Sequence, residues 1–196
     1  MQQENVISFR LATVFGMSPR MGLDLLVNDF VYRAVKDRFI VLFESSFKRN
    51  YIHVRDISKV FRHSINKFGE MKNNIFNVGL SDANVSKYEL CSIIKEVVND
   101  FIFIDEPIGK DLDQRNYIVS NSKIEQTGFI PQVSLKSGIK ELIKGFEGGY
   151  HYKRIQVSGE RYDDKPNKDR FSHIHDALQY LMLGSGEGRQ VMGQFN

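Results

Sequence analysis

The sequence of 196 residues is long enough for one domain, or for one domain and a small addition. Its composition, 41% hydrophobic and 26% charged, is that of an ordinary globular protein, and a formal net charge of +3 does not by itself predict nucleic-acid binding. The single cysteine, Cys91, excludes an internal disulfide and a thiolate metal cluster. No apolar run approaches the roughly 20 residues of a membrane span and no signal peptide is recognisable, so a cytoplasmic protein is expected.

Strand-like and helix-like patterns alternate from residue 6 to about residue 146. Apolar runs predict strands at 6–16, at 38–54 as two strands around a Ser-Ser turn, at 75–80 and at 101–106. Apolar periodicity predicts helices at 23–36, 57–68, 86–98, 121–127 and 135–146. Asp56, the pair Ser86 and Glu89, and Ser134 are the expected capping residues. Alternation of this kind predicts an α/β architecture.

Five blocks of this region together resemble a known family. They are RLATVFG, LLVNDFVYRAV, FKRNYIHVRDISKVF, IFNVGLSDANVSKYELCSIIKE and DQRNYIVSNSKIEQTGF. In this order and at these spacings they resemble the C-terminal half of an extended short-chain dehydrogenase. More narrowly, residues 5–146 are similar to NAD-dependent nucleotide-sugar epimerases and dehydratases. The resemblance implies a partial Rossmann-type sheet with most of a small substrate domain.

The chemistry of that family depends on two features. A glycine-rich turn binds the NAD pyrophosphate, and a Tyr-x-x-x-Lys pair handles the substrate proton. Neither is found at its expected place, because in the family both precede the segment that this sequence resembles. The resemblance therefore implies a truncated enzyme without catalytic residues that does not bind NAD by itself. Tyr32 and Lys36 fit the same spacing, but we interpret them as surface residues of a structural helix.

The resemblance also implies a substrate site for a nucleotide-diphosphate sugar. Arg49 and Arg115 match arginines that bind the nucleotide diphosphate, and Asn28 matches an asparagine near the same phosphates. Thr13 lies where the chain passes the sugar, and Val14 where it passes the nicotinamide of the cofactor. A solvated surface charge is the alternative for each arginine. We interpret His53, His63 and Asp56 as structural residues.

The pattern changes near Gly148, and residues 147–196 form a predicted second segment. A strand is expected at 150–158, a polar loop at 159–170, and a helix at 173–184 that is capped by Ser172. This short strand-helix tail resembles the end of a phage terminase large subunit, a DNA-packaging motor with a nuclease. The resemblance implies Asp176 as one ligand of a divalent metal. One carboxylate does not make such a site, so metal binding by this chain is not expected.

Three functional hypotheses follow. The first is a truncated, inactive nucleotide-sugar epimerase or dehydratase, divided at residues 146 and 147 from an unrelated tail. The second is a fragment of a terminase nuclease. The third is an inert fusion with an exposed apolar surface, which favours self-association. Nucleic acid is not an expected partner under the first hypothesis.

Overall fold

The computed structural model describes residues 5–18, 22–107, 109, 115–149, 152–155 and 161–166. This part of the chain contains nine strands and six α-helices. In chain order they are β1 (Ile7–Leu11), β2 (Thr13–Phe15), α1 (Leu26–Lys36), β3 (Phe39–Leu42), β4 (Lys48–His53), α2 (Val54–Asn66), α3 (Phe68–Met71), β5 (Asn74–Val78), β6 (Asn84–Ser86), α4 (Lys87–Lys95), β7 (Ile102–Asp105), α5 (Ser122–Glu125), α6 (Leu135–Lys144), β8 (Tyr152–Ile155) and β9 (Arg161–Pro166). Within the described ranges, no helix is both long enough and apolar enough to cross a membrane.

The chain divides into two compact units, one of residues 1–16 and 22–143 and one of residues 17–21 and 144–196. The first unit contains three small sheets, each built on a parallel pair of strands. β1 pairs with β5, β3 pairs with β7, and β2 pairs with β4, whose other edge takes β6 in antiparallel orientation. Parallel strands cannot be joined by a tight turn, so each pair is connected through helical segments. The predicted α/β architecture is therefore confirmed.

The two strands predicted in 38–54 both form, but they do not pair with each other. β3 lies beside β7, whereas β4 lies between β2 and β6. In β3, Ile40 and Leu42 are buried while Phe39 and Val41 are exposed, which is the alternation of a sheet with one covered face. Nearness in sequence suggested one sheet, and the pairing partners that decide otherwise lie more than 20 residues away along the chain.

A cluster of buried apolar residues packs β5 against α2, α3 and α5. Its members are Ala12, Ile52, Val60, Met71, Phe76, Val78, Ile124 and Phe129. The helices α1, α4 and α6 also bury one apolar stripe each, as their sequence periodicity predicts. Cys91 is buried in α4, and burial raises the pKa of its thiol to about 12, as expected for a residue with a packing role.

Local side-chain caps fix the ends of two helices. Ser86 Oγ accepts a hydrogen bond from the Glu89 backbone N–H (3.1 Å), and the Glu89 carboxylate accepts one from the Ser86 N–H (2.6 Å). This is the predicted capping box of α4, and the backbone hydrogen bond from Ser86 lowers the pKa of Glu89. Ser134 Oγ accepts from the Ser137 N–H (3.2 Å) at the start of α6, which confirms the second cap.

The predicted cap of α2 is wrong. His53 is the N-cap, because its Nδ1 accepts a hydrogen bond from the Arg55 backbone N–H (3.2 Å). Asp56 lies in the first helical turn, where it is buried, and its Oδ2 accepts from the N–H groups of Gln132 (3.1 Å) and Val133 (2.9 Å). Asp56 therefore connects α2 to the segment that leads into α6.

His53 is fully buried, and its ring occupies space that is free only because two neighbouring residues are glycines. A Cβ on Gly16 would lie 2.5 Å from His53 Nε2, and a Cβ on Gly138 would lie 2.9 Å from its Cδ2. Phe15 packs edge-on against the imidazole at 5.3 Å between ring centroids. Burial, followed by the charge of Arg55, lowers the pKa of His53 to about 4. The neutral imidazole is therefore the form that the fold accommodates.

Acidification should destabilise the fold through His53. The pKa of the folded state, about 4, lies below the ordinary value of 6.5, so the stabilising contribution is complete above pH 6.5 and is lost as the pH falls through 4. The shift corresponds to about 3 kcal/mol of unfolding free energy. Denaturant unfolding from pH 7.5 to 4 should show a smaller pH dependence for His53→Asn, which keeps a capping acceptor, than for the parent chain. Equal pH dependence in the two proteins would contradict this assignment.

The second unit contains an antiparallel pair of strands. β8 and β9 pair with Ile155 opposite Arg161. β8 lies within the predicted strand, but β9 occupies part of the predicted loop, so the loop prediction is wrong there. Strand pairing satisfies backbone groups whatever the side chains, so a polar, turn-rich composition does not exclude it. The predicted helix at 173–184 and Asp176 lie outside the described residues, and the boundary at 146 and 147 stays a prediction.

Candidate functional site

An open cleft of about 590 Å³ lies in the first unit. Its wall is formed by the start of α1, by β2, β3 and β4, and by single residues from α4 and from the segment after β7. The lining residues are Thr13, Val14, Asp24, Leu25, Leu26, Asp29, Phe30, Arg33, Ile40, Val41, Leu42, Phe43, Arg49, Lys87 and Arg115. Four of the residues indicated by the sequence, Thr13, Val14, Arg49 and Arg115, thus lie along one cleft.

The charge of the cleft lining favours an anion. Among the lining residues that the structure describes, the cationic side chains are Arg33, Arg49, Lys87 and Arg115, and the acidic ones are Asp24 and Asp29. Asp29 Oδ1 accepts from Arg33 Nε at 2.9 Å, one helical turn away, so these two charges largely offset each other. The remaining charges of the described lining residues are net positive.

Arg49 is held on the most buried strand of the unit. β4 is hydrogen-bonded on both edges, and Arg49, only 2% exposed, lies directly opposite Val85 of β6. A guanidinium keeps its charge at every pH that proteins tolerate, and in a buried position that charge is screened less than at the surface. Arg49 therefore supplies a fixed positive charge at the cleft.

Two hydrogen bonds to Lys48 hold the segment of Arg115 beside β4. The Lys48 backbone N–H donates to Asn116 Oδ1 (2.9 Å), and the Tyr117 N–H donates to the Lys48 carbonyl (3.0 Å). Residues 116 and 117 are thus bound to the residue that precedes Arg49. Arg115 is exposed, unlike Arg49, so the two arginines reach the cleft from different depths.

Two side-chain amides anchor this segment further along. Asn84 Nδ2 donates to the Val119 carbonyl (3.0 Å), and the Val119 N–H donates to Asn84 Oδ1 (2.9 Å). Asn50 Nδ2 donates to the same Oδ1 (3.1 Å) from the neighbouring strand. Asn84 therefore joins β4, β6 and the segment that carries Arg115.

Asn28 does not line the cleft. Its Oδ1 accepts from the Gly16 N–H (3.1 Å), and its Nδ2 donates to the Gly22 carbonyl (3.1 Å). These bonds bind the end of β2 to the chain just before α1, and Asn28 is buried. A phosphate role for Asn28 stays a prediction, and the observed contacts favour a positioning role for this residue.

Lys87 is a cleft residue to which the sequence analysis assigns no role, although it lies in the block IFNVGLSDANVSKYELCSIIKE. It is only 1% exposed, its Nζ donates to the Phe43 carbonyl (2.9 Å), and it lies 5.7 Å from the centroid of the Phe47 ring. One sequence signal could have pointed to it. A lysine at the first position of a helix with a strong N-terminal cap opposes the helix dipole, so it needs another reason to be there.

The other titratable candidates have no place in the cleft. Tyr32 is half-buried and Lys36 exposed, and neither lines it. His63 Nε2 lies 2.9 Å from Thr127 Oγ1, a contact between α2 and the end of α5. In the described part of the chain, no group of three His, Cys, Asp or Glu side chains could hold a metal ion.

No family model matches the sequence, but solved structures resemble it. UDP-glucose 4-epimerase from Thermotoga maritima, in complex with UDP-glucose, is 25% identical with a TM-score of 0.57, over 72% of this chain and 45% of that one. UDP-glucuronic acid 4-epimerase from Bacillus cereus, in complex with UDP-glucuronic acid and NAD, is 16% identical with a TM-score of 0.61, over 74% and 46%. The fold is that of nucleotide-sugar epimerases over less than half of their length. UDP-glucose 4-epimerase from Thermus thermophilus, in complex with NAD, gives the same result at 21% identity, 72% and 46% coverage and a TM-score of 0.57.

Asn84 should hold the Arg115 segment in place. Replacing it with alanine in Asn84→Ala leaves the Val119 N–H and carbonyl without their side-chain partner, which should lower the unfolding free energy by about 1–3 kcal/mol. Hydrogen exchange of the Val119 amide should also accelerate. The control is Asn77→Ala, which removes one exposed bond to the Ser120 carbonyl (3.1 Å). Equal effects of both changes on stability and on Val119 exchange would show that Asn84 has no special role.

Proposed function

We propose that this chain is the substrate-binding portion of an NAD-dependent nucleotide-sugar epimerase or dehydratase. The diphosphate of the substrate is bound in the cleft by Arg49 and Arg115. One observation carries the proposal: two arginines that lie 66 positions apart in sequence, and that belong to two separate motifs of the resemblance, line one positively charged cleft. The structural neighbours that bind UDP-sugars support the same substrate class.

The cleft has cationic and apolar lining residues, and these suit the diphosphate and the nucleoside of such a ligand. A diphosphate needs charge-assisted donors, and the planar fork of arginine binds phosphate oxygens in pairs. Apolar residues of α1, of β3 and of the position after β3, among them Phe30, Val41 and Phe43, line the same cleft. A nucleoside ring can pack on these groups while the diphosphate meets the cations, which is the usual combination in small-molecule sites.

The described residues do not by themselves make a dinucleotide site. Val14 is the cleft residue that we assign to the cofactor side, and no glycine-rich phosphate turn follows a strand in the ranges that the structure describes. Hydride transfer is the chemistry that NAD supplies in an enzyme of this class. We derive no step through NAD from these residues, and the proposed role of the chain is substrate binding.

Nucleotide titration tests the proposal. The parent chain should bind UDP in isothermal titration calorimetry, and Arg115→Ala should raise the Kd by about tenfold or more, because one charge-assisted fork contributes about 1.5–3 kcal/mol. ADP, GDP, CDP and dTDP, measured alongside UDP, identify the preferred base. Arg49→Lys, which keeps the buried charge and loses the fork, should also weaken binding.

The matched control is Arg62→Ala, which removes an exposed arginine of α2 outside the cleft. It should leave the Kd within about twofold of the parent value. If none of the five nucleotides binds, or if Arg115→Ala and Arg62→Ala behave alike, the proposed site is wrong. The terminase alternative rests on residues 148–184, most of which, Asp176 included, lie outside the described residues.

A further inference from the structure

The proposed diphosphate site has a third cation that neither the resemblance nor the comparisons assign. We propose that Lys87 binds the diphosphate together with Arg49 and Arg115, with its ammonium group pre-positioned by the Phe43–Phe47 turn. This inference rests on the proposed function of the cleft. It adds a ligand-contacting residue from a third segment of the chain.

The strand register places Lys87 on the same side of the sheet as Arg49. In the antiparallel pair of β4 and β6, Arg49 lies opposite Val85. Side chains two residues apart along an extended chain point to the same face, and the backbone of Ser86 is still extended (φ −77°, ψ 168°). Lys87 is two residues after Val85, and it lines the same cleft as Arg49.

Burial and contacts hold the ammonium group in one position. Lys87 Nζ donates to the Phe43 carbonyl (2.9 Å) and lies 5.7 Å from the centroid of the Phe47 ring. A surface lysine loses side-chain entropy when it binds a ligand, whereas a lysine that is already fixed loses much less. Lys87 is therefore pre-organised at the edge of the cleft.

Two features of this position are unfavourable for a positive charge. Lysine is rarely buried, because desolvating its charge is costly. The first position of a helix is also unfavourable for a positive charge. A bound diphosphate carries more than one negative charge, so it would offset the cost of placing the charge of Lys87 beside those of Arg49 and Arg115.

The test separates the charge of Lys87 from its hydrogen bond. Lys87→Gln keeps a donor for the Phe43 carbonyl but removes the charge, and Lys87→Met removes both and keeps most of the volume of the side chain. We expect both variants to raise the Kd for UDP by about tenfold or more. The Kd for inorganic pyrophosphate should rise in parallel. The Tm of Lys87→Gln without ligand should stay close to that of the parent chain.

The control is Lys48→Met, in the same strand as Arg49. Lys48 lies opposite Ser86, is 41% exposed at its side chain and does not line the cleft. Lys48→Met removes a positive charge close to the cleft, so it measures the general electrostatic contribution to UDP binding. We expect its Kd for UDP to stay within about threefold of the parent value.

The outcomes distinguish this inference from the function on which it rests. If the parent chain binds UDP, Arg115→Ala weakens binding, and both Lys87 variants bind within about threefold of the parent, Lys87 is not a ligand-binding residue. If Lys87→Met loses binding but Lys87→Gln retains it, the role of Lys87 is structural and the inference is also wrong. If the parent chain binds neither pyrophosphate nor any of the five nucleotides, the proposed function fails and the inference fails with it.

Discussion

The pairing of β4 with β6 is the constraint on which the cleft depends. It places Arg49 opposite Val85 and Asn50 opposite Asn84, so a cation and an amide bridge occupy neighbouring positions of one ladder. Asn84 then binds the backbone of Val119 at both its N–H and its carbonyl. A shift of this register by one residue would turn every side chain of β6 to the other face and would separate the cations.

Elsewhere in the first unit, too, side chains connect distant segments by hydrogen bonds to their backbone groups, as long strands do in larger sheets. The three sheets of the first unit have strands of only three to six residues, and short strands contribute few ladder hydrogen bonds each. Asp56 receives two N–H groups from the segment before α6, and Asn28 binds the end of β2 to the start of α1. Each of these residues is buried, so removing one leaves backbone groups without partners where water has little access.

The side chains around His53 determine the protonation state of its imidazole. Glu141 Oε2 lies 3.9 Å from His53 Nε2, a distance at which a carboxylate alone would favour the imidazolium. Arg55 contacts the same carboxylate oxygen and takes up its charge. Burial therefore decides the protonation state, and the pKa of His53 is lowered rather than raised.

The sequence predicts features whose causes are local and fails where the cause is distant. The capping box of Ser86 and Glu89 is complete within four residues, so the sequence alone is enough to identify it. Asp56 satisfied the same local rule, yet its partners lie 76 and 77 positions away, and His53 is the cap. The pairing of β3 with β7, rather than with β4, cannot be predicted from the sequence, because the two strands are also distant along the chain.

The cleft shows the same division. The resemblance assigns a role to Arg49 and to Arg115, whereas Lys87 lies in the block IFNVGLSDANVSKYELCSIIKE without an assigned role. The position of Lys87 at the cleft depends on the β4–β6 register and on Phe43 and Phe47, which are 40 or more residues away in the sequence. Only its misfit with the helix dipole is visible in the sequence.

The distribution of charge in this cleft, rather than the total charge of the chain, is the feature that bears on the proposed ligand. The cations Arg49, Lys87 and Arg115 come from β4, from the residue after β6 and from the segment bound to β4, so they share one structural origin. Most of the described apolar lining comes from α1 with the residue before it and from β3 with Phe43 after it, and β3 belongs to a different sheet. A ligand that is charged in the middle and has a ring at one end matches both walls in one orientation only, because reversing it places the charged group against apolar side chains, where it loses water without gaining a partner. Under the proposed function, the orientation of the substrate follows from the separation of the cationic and apolar walls, and not from any single contact.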